Sequence, residues 1–135
     1  MVGFASPARL RPTHRRSNNK GVIVNPEWVV RFVDEAAQER SFLPPPERQA
    51  LANAVAKLEV MGPGLGFPHT SSVRGCPGVR ELRPRAGRSP WRALYKRCGD
   101  TFVIASVGSE AESDPRGFDR AVRNAVVRLS VTREE

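Results

Sequence analysis

The sequence predicts a small α+β domain in which helices pack on one face of a mainly antiparallel four-stranded sheet. Three observations carry this prediction. Two amphipathic segments joined by a proline run occupy the first half, strand-like segments follow, and a third amphipathic segment lies near the C-terminus. A chain of 135 residues suits one domain with a real core. We expect a basic flexible tail over residues 1–20 and one folded domain over residues 21–135.

The first elements after the tail are predicted to be a short strand and a helix. The run Val22-Ile23-Val24 is the strand candidate. Asn25-Pro26-Glu27 resembles a helix start, with a capping side chain and a proline in the first turn. Apolar residues then recur at helical spacing from Trp28 to Ala36. The proline run at 44–46 is expected to end that helix.

A second helix is predicted over residues 47–61, where Gly62-Pro63-Gly64 stops it. Residues 64–78 are rich in Gly, Pro and Ser and predict a loop. Residues 101–107 are apolar at nearly every position, which is typical of a central strand buried on both faces. A C-terminal helix over about residues 113–129 follows, because its apolar residues are spaced three and four apart.

Residues 79–96 predict a hairpin that carries cations at alternating positions. Strand alternation places Arg83 and Arg85 on one face of the first strand, and Arg92 and Lys96 on one face of the second. Tyr95 points the other way, so it is expected in the core. Glu81 is expected to orient an arginine. A cationic face of this kind suits a polyanion, and RNA is the first candidate.

The charge distribution supports that interpretation. The formal net charge is +8, and the excess lies in residues 1–20 and 74–98. Such a patch predicts binding to phosphates or to an acidic protein. No apolar run approaches the roughly 18 residues that span a bilayer, and no signal-peptide pattern is present, so a cytoplasmic protein without a membrane partner is expected. Cys76 and Cys98 lack metal-ligand spacing, and we expect no metal or cofactor.

The order of several short motifs resembles a known family. Leu-x-x-Met-Gly-x-Gly-Leu precedes a proline-containing loop, and Glu81-Leu82-Arg83, Trp91-Arg92-Ala93-Leu94-Tyr95 and an apolar strand follow. Over about residues 22–129 this order resembles the RelE/HigB toxins of type II toxin–antitoxin modules, and most closely their phage-derived Gp49-like or HigB-like branch. The resemblance implies the small RelE/ParE-like fold.

The resemblance also implies a function. Such proteins are metal-independent endoribonucleases that cleave mRNA on the ribosome, and a cognate antitoxin, here expected to be of the helix-turn-helix HigA-like type, neutralises them. By motif match, Arg83 and Arg92 are the expected catalytic residues. Other cations are expected to bind RNA: Arg80, Arg85, Arg88, Lys96, Arg97, Arg116 and Arg120. The chain departs from the family at Ser109-Glu110, where relatives commonly have a basic pair, and at Phe118, where relatives place a tyrosine.

Three other functions remain open from the sequence. A ParE-like toxin with the same fold would act on a topoisomerase. A decayed RNA-binding module would keep the cations without cleaving RNA, and the missing basic pair favours it. A helix-turn-helix DNA-binding repressor is disfavoured, because the cations lie on strands and not on a recognition helix.

Overall fold

A computed structural model describes residues 28–132 and two short strands before them, β1 (Arg16–Ser17) and β2 (Ile23–Val24), which pair antiparallel. The strand predicted at 22–24 therefore forms over residues 23–24. Most of the predicted basic tail and the predicted helix start at 25–27 lie outside the described residues. The boundary between tail and domain stays a prediction.

Within the described residues the main sheet has five strands, one more than predicted. They are β3 (Val29–Phe32), β4 (Thr70–Ser72), β5 (Val79–Leu82), β6 (Trp91–Cys98) and β7 (Thr101–Ser109). Their order across the sheet is β3-β7-β6-β5-β4, and all neighbours are antiparallel except β3 and β7. The long strand β7 is buried along most of its length, as predicted.

The first helix begins later than the sequence predicts. Residues 29–32 form β3, and helix α1 spans only Asp34–Ser41. Trp28 and Phe32 are four residues apart, a spacing that fits both a helix face and every second residue of a strand. Pairing with β7 decides between them, because Val33 N donates to Ile104 O at 2.9 Å and continues the parallel ladder. The predicted helix over 28–36 is therefore wrong in its first half.

The two longer helices agree with the sequence patterns. Helix α2 spans Pro45–Met61 and helix α3 spans Pro115–Thr132. Helix α2 ends at Gly62, which has φ +56°; a Cβ there would collide with the indole ring of Trp28. The Asp114 carboxylate accepts from Gly117 N at 3.0 Å and so caps the start of α3.

The helices cover both faces of the sheet, not one as predicted. Buried apolar side chains form separate hydrophobic clusters, and alternate residues of β6 belong to different ones. Ala93 and Tyr95 pack with α1 and α2, whereas Leu94 packs with α3. Because successive strand residues point to opposite faces, the clusters lie on opposite sides of the sheet. The sequence could not assign a face to α3, since its apolar stripe is compatible with either. Tyr95 lies in the core, as predicted, and its hydroxyl hydrogen-bonds Thr70 Oγ1 at 2.7 Å.

Candidate functional site

The turn between β5 and β6 differs from the simple hairpin predicted. Strand β5 ends at Leu82, because Pro84 has no N–H with which to continue the ladder. Arg85 and Ala86 then have left-handed backbones, with φ of 56° and 55°. Non-glycine residues in this conformation cost about 1–2 kcal/mol each. Arg83 and Arg85 therefore do not share a strand face, and other contacts must stabilise the turn.

Glu47, in the first turn of α2, supplies one such contact. Its carboxylate accepts from Arg85 Nη1 at 2.7 Å and from Ser89 Oγ at 2.8 Å. These hydrogen bonds, that of Arg85 first, lower the pKa of Glu47 below its usual value. Glu47 thus joins the N-terminus of α2 to both ends of the left-handed turn.

This contact predicts a pH dependence of stability. Because the pKa of Glu47 is lower in the folded chain than in the unfolded chain, its contribution is present above the unfolded pKa and is lost as pH falls through the folded value. We expect Glu47→Gln to reduce the loss of stability on acidification below about pH 4.3. Urea unfolding between pH 3 and 7 measures the pH dependence of the free energy of unfolding. Glu35→Gln, at an exposed position on α1, is the control. Equal pH slopes for wild type and Glu47→Gln would contradict this role.

Arg92 supplies the second contact with the turn, and it is buried. Only 4% of the residue is exposed. Its guanidinium donates to the carbonyl oxygens of Gly87, Ser89 and Trp91 at 2.7–3.3 Å. Burial, and then the nearby Arg83, lowers the pKa of Arg92, while Glu81 and Glu110 act in the opposite direction. The expectation that Arg92 lies on an open cationic face is wrong, because the turn folds over its guanidinium.

Glu81 connects the two arginines of the family motif. Its Oε2 lies 3.3 Å from Arg83 Nη1, and its Oε1 lies 3.4 Å from Arg92 Nε. Ser71 Oγ donates to the same carboxylate at 2.7 Å. Glu81 therefore orients an arginine, as predicted, and in fact contacts both.

Of the two arginines that contact Glu81, Arg83 is the one that reaches the surface. Its Nε donates to Pro68 O at 2.9 Å, its guanidinium carbon lies 5.2 Å from the centroid of the Phe67 ring, and its side chain is 20% exposed. Gly87 passes close behind it: a Cβ at this position, where φ is +93°, would lie 2.6 Å from Arg83 Nη2. The chain thus holds one guanidinium in place while leaving part of it open to a ligand.

A groove of about 250 Å³ lies beside Arg83. Residues from α2, the β4 region and the turn line it. Its floor is apolar and its edges are polar or cationic, with lining residues that include Gln49, Asn53, Lys57, His69, Leu82, Arg83 and Arg85. Within residues 28–132 no cluster of acidic, histidine or cysteine side chains is arranged to hold a metal ion. The arrangement suits an anionic ligand with a partly apolar body.

Comparisons with known proteins agree with this architecture. The model of the family described as phage-derived protein Gp49-like (DUF891) matches residues 39–108, more than half of the chain. The chain belongs to this Gp49-like family. Its structure is similar to that of the free Escherichia coli toxin RelE carrying two arginine-to-alanine substitutions, with 20% identity, a TM-score of 0.53, and coverage of 72% of this chain and 96% of RelE. A search of curated proteins finds no match.

A second similar structure is the intact E. coli RelBE toxin–antitoxin complex, with 19% identity, a TM-score of 0.50, and coverage of 62% of this chain and 96% of the matched chain. These likenesses show the fold. The predicted α+β class and the resemblance to RelE/HigB toxins are confirmed.

The remaining predicted cations of this Gp49-like chain do not converge on Arg83. Arg97 stacks over Trp28 at 5.0 Å, at the opposite end of β6 from Arg92. Arg80 donates to Thr70 Oγ1, Arg88 donates to Arg85 O, and the Lys96 side chain lies over Gly78. Arg116 and Arg120 are exposed on α3. Of the residues predicted to bind RNA, only Arg85 shares the groove with Arg83, and a role for the others stays a prediction.

Glu110 has a structural role that the sequence does not reveal. Its Oε1 accepts from Arg92 Nη2 at 2.9 Å, and its backbone N donates to Pro90 O at 2.8 Å. Glu110, at the position where the family resemblance led us to expect a basic residue, therefore neutralises Arg92. No helix within the described part of the chain is both long and apolar enough to cross a bilayer.

Glu110→Lys is expected to destabilise the protein, because it would place an ammonium group against the buried Arg92 guanidinium. We expect a loss of about 2–4 kcal/mol in the free energy of unfolding, larger than for Glu110→Gln. Chemical denaturation of both variants measures it. Wild-type stability of Glu110→Lys would contradict the neutralising role assigned to Glu110.

Sequence patterns missed Glu47, Gln49, Asn53, Lys57 and Phe67 as residues of this region. The first four lie on α2 and carry no motif, and Phe67 lies in the loop before β4. Only the packing of α2 beside the β5–β6 turn brings them near Arg83. His69, which directly precedes β4, also lines the groove.

Proposed function

We propose that this chain is the toxin of a type II toxin–antitoxin module and acts as an endoribonuclease on mRNA bound to the ribosome. The fold of RelE and membership of the Gp49-like family support this proposal. The observation that carries it is the Arg83 site, in which a partly exposed guanidinium lies at the edge of the groove and is paired with Glu81, which Arg92 contacts in turn. Because the proposed target is the ribosome, we propose a cytoplasmic location as well.

The proposed chemistry needs no metal. The ribose 2′ oxygen forms a bond to the adjacent phosphorus while the bond from phosphorus to the 5′ oxygen breaks, leaving a cyclic phosphate and a 5′ hydroxyl. Negative charge develops on the non-bridging oxygens, and Arg83 is placed to stabilise it with its planar set of donors. The 2′-hydroxyl proton passes to a base, for which His69 in the same groove is the candidate, and the departing 5′ oxygen takes up a proton from solvent water.

Arg92 has a different part in this proposal from the one that its motif position implies. Its guanidinium is occupied by carbonyl oxygens and by Glu81 and Glu110. We assign it the role of a positioning residue, because it contacts Glu81 and the turn, which in turn hold Arg83. Arg83 remains the proposed catalytic residue.

The partner in this proposal is an antitoxin of the helix-turn-helix HigA-like type. An acidic segment of it would cover the exposed part of Arg83, since a free cationic surface would otherwise bind RNA indiscriminately. Co-expression with the antitoxin gene should restore growth and yield a stable complex. Failure of the two proteins to copurify would count heavily against a toxin–antitoxin module.

Pulse labelling after induction tests the proposal directly. We expect incorporation of amino acids to stop before incorporation of thymidine, and primer extension to show new mRNA ends within translated regions. Arg83→Ala is the inactive control. Arrest of DNA synthesis before protein synthesis would instead indicate a ParE-like toxin that acts on a topoisomerase.

A second function, RNA binding without cleavage, is favoured by one observation. Three carboxylates neutralise the cations of this region: Glu47 pairs with Arg85, Glu81 with Arg83, and Glu110 with Arg92. Less positive charge is then free to stabilise a transition state. Programmed ribosomes that bind the purified chain but keep their mRNA intact would establish this alternative.

A further inference from the structure

Phe67 is an exposed aromatic side chain beside the proposed catalytic arginine. It is 75% exposed, and the Arg83 guanidinium carbon lies 5.2 Å from the centroid of its ring. Exposure of a large apolar ring has no benefit for folding. Proteins that bind single-stranded nucleic acids use such rings as platforms on which bases stack, next to cations that contact the backbone.

The groove that Arg83 lines has the composition of a nucleotide site. Its floor includes Leu65 and Leu82, which are buried. On its α2 wall, Gln49 Nε2 donates to Asn53 Oδ1 at 3.0 Å, which orients both amides. Side-chain amides offer the donor and acceptor pairs that match base edges.

The charge in this groove favours RNA over an acidic peptide as the occupant. Arg85 is paired with Glu47 and Arg83 shares Glu81, whereas no carboxylate within residues 28–132 forms an ion pair with Lys57. The net positive charge is thus small and lies at the edges, where phosphates would lie. An acidic peptide would need several free cations, and it would leave the amide pair and the Phe67 ring without a matching group.

The strained turn gives independent support for a ligand site here. The left-handed residues Arg85 and Ala86 both line the groove. Backbone strain of this kind persists where the surrounding structure holds it, and it is concentrated at binding sites. Glu47 and Arg92 hold this turn from two sides.

We propose that Phe67 and the groove form a subsite for the nucleotides that flank the phosphate at Arg83. One base stacks on Phe67, and the neighbouring nucleotide enters the groove, where Gln49 and Asn53 contact its base edge and Lys57 its phosphate. This inference rests on the proposed function in that RNA is the ligand. It adds the residues that select bases around the cleavage position.

Binding of a short single-stranded oligoribonucleotide tests the subsite. The probe carries 2′-O-methyl groups, which prevent cleavage, and one 2-aminopurine, whose fluorescence falls when it stacks on an aromatic ring. We expect Phe67→Ala to weaken binding about tenfold or more and to remove the fluorescence quench. Phe67→Trp should keep both. Phe42→Ala is the matched control, because Phe42 is 84% exposed but follows α1, outside the groove.

Base selection by the amides is measured separately. Asn53→Ala should flatten the preference among probes that differ at one position, while Gln38→Ala, at an exposed amide on α1, should leave it unchanged.

Unchanged affinity and quench in Phe67→Ala would overturn the subsite while leaving the proposed nuclease intact. If Phe67→Ala binds RNA normally but no longer copurifies with the antitoxin, the subsite is overturned and this surface is a protein-docking site. A wild-type chain that binds no oligoribonucleotide would overturn the subsite, whereas pulse labelling decides the proposed nuclease independently.

Discussion

Replacement of Arg92 by alanine is expected to lower the free energy of unfolding by about 3–5 kcal/mol. The guanidinium is buried and joins the carboxylates of Glu81 and Glu110 to the carbonyl oxygens of the β5–β6 turn. Its removal leaves buried carbonyl oxygens without donors and the Glu110 carboxylate without its cation, while Glu81 keeps Arg83. The left-handed turn also loses one of the two side chains that hold it.

Urea unfolding monitored by tryptophan fluorescence measures this loss. Arg88→Ala is the control, since Arg88 is exposed on the same turn and its removal should change stability by about 0.5 kcal/mol or less. Loss of toxicity in Arg92→Ala would then report an unfolded protein, not a missing catalytic group. A change below about 1 kcal/mol for Arg92→Ala would contradict the structural role assigned here.

Arg83→Ala is expected to lower mRNA cleavage on programmed ribosomes by about 10²–10³-fold, the usual loss when one donor to a developing oxyanion is removed. The fold should survive, because Glu81 keeps its contacts with Ser71 and Arg92 after the change. We expect the free energy of unfolding to fall by about 1 kcal/mol or less, as for other partly exposed ion pairs. Arg83→Ala should therefore lose cleavage while keeping most of its stability, whereas Arg92→Ala should lose both.

Arg85→Ala is the matched comparison for Arg83→Ala. Both arginines line the groove, but Arg85 is held by Glu47 and by Pro46 O. We expect a smaller loss of cleavage in Arg85→Ala than in Arg83→Ala. Equal cleavage by wild type and Arg83→Ala at matched folded concentrations would remove Arg83 from the proposed catalytic role.

The sequence by itself determined the elements whose signals are local. Helix α2 has a proline at its start and a glycine at its end, and α3 has an apolar stripe with an aspartate cap. Strand β7 is apolar over a run too short for an independent helix. The core position of Tyr95 followed from strand alternation with Trp91. Each of these depends on residues within a few positions of one another, so the sequence pattern was sufficient.

Tertiary pairing decided what local patterns left ambiguous. The residues before α1 became β3 because the edge of β7 was available to pair with them. Strand alternation assigned Arg92 to one face of β6, but it carried no information about what would cover that face. The turn and Glu110 cover it, and a residue that the sequence placed in the open is buried.

The candidate site was decided almost entirely by the tertiary structure. Its residues come from α2, the loop before β4, the end of β5 and the following turn, and are separated by up to about 40 positions in the chain. The motif around Arg83 indicated one cation, but a groove exists only where elements distant in sequence meet. The physical reason is that hydrophobic periodicity encodes which residues a strand or helix buries, whereas the identity of the neighbour that buries them depends on the packing of the whole domain.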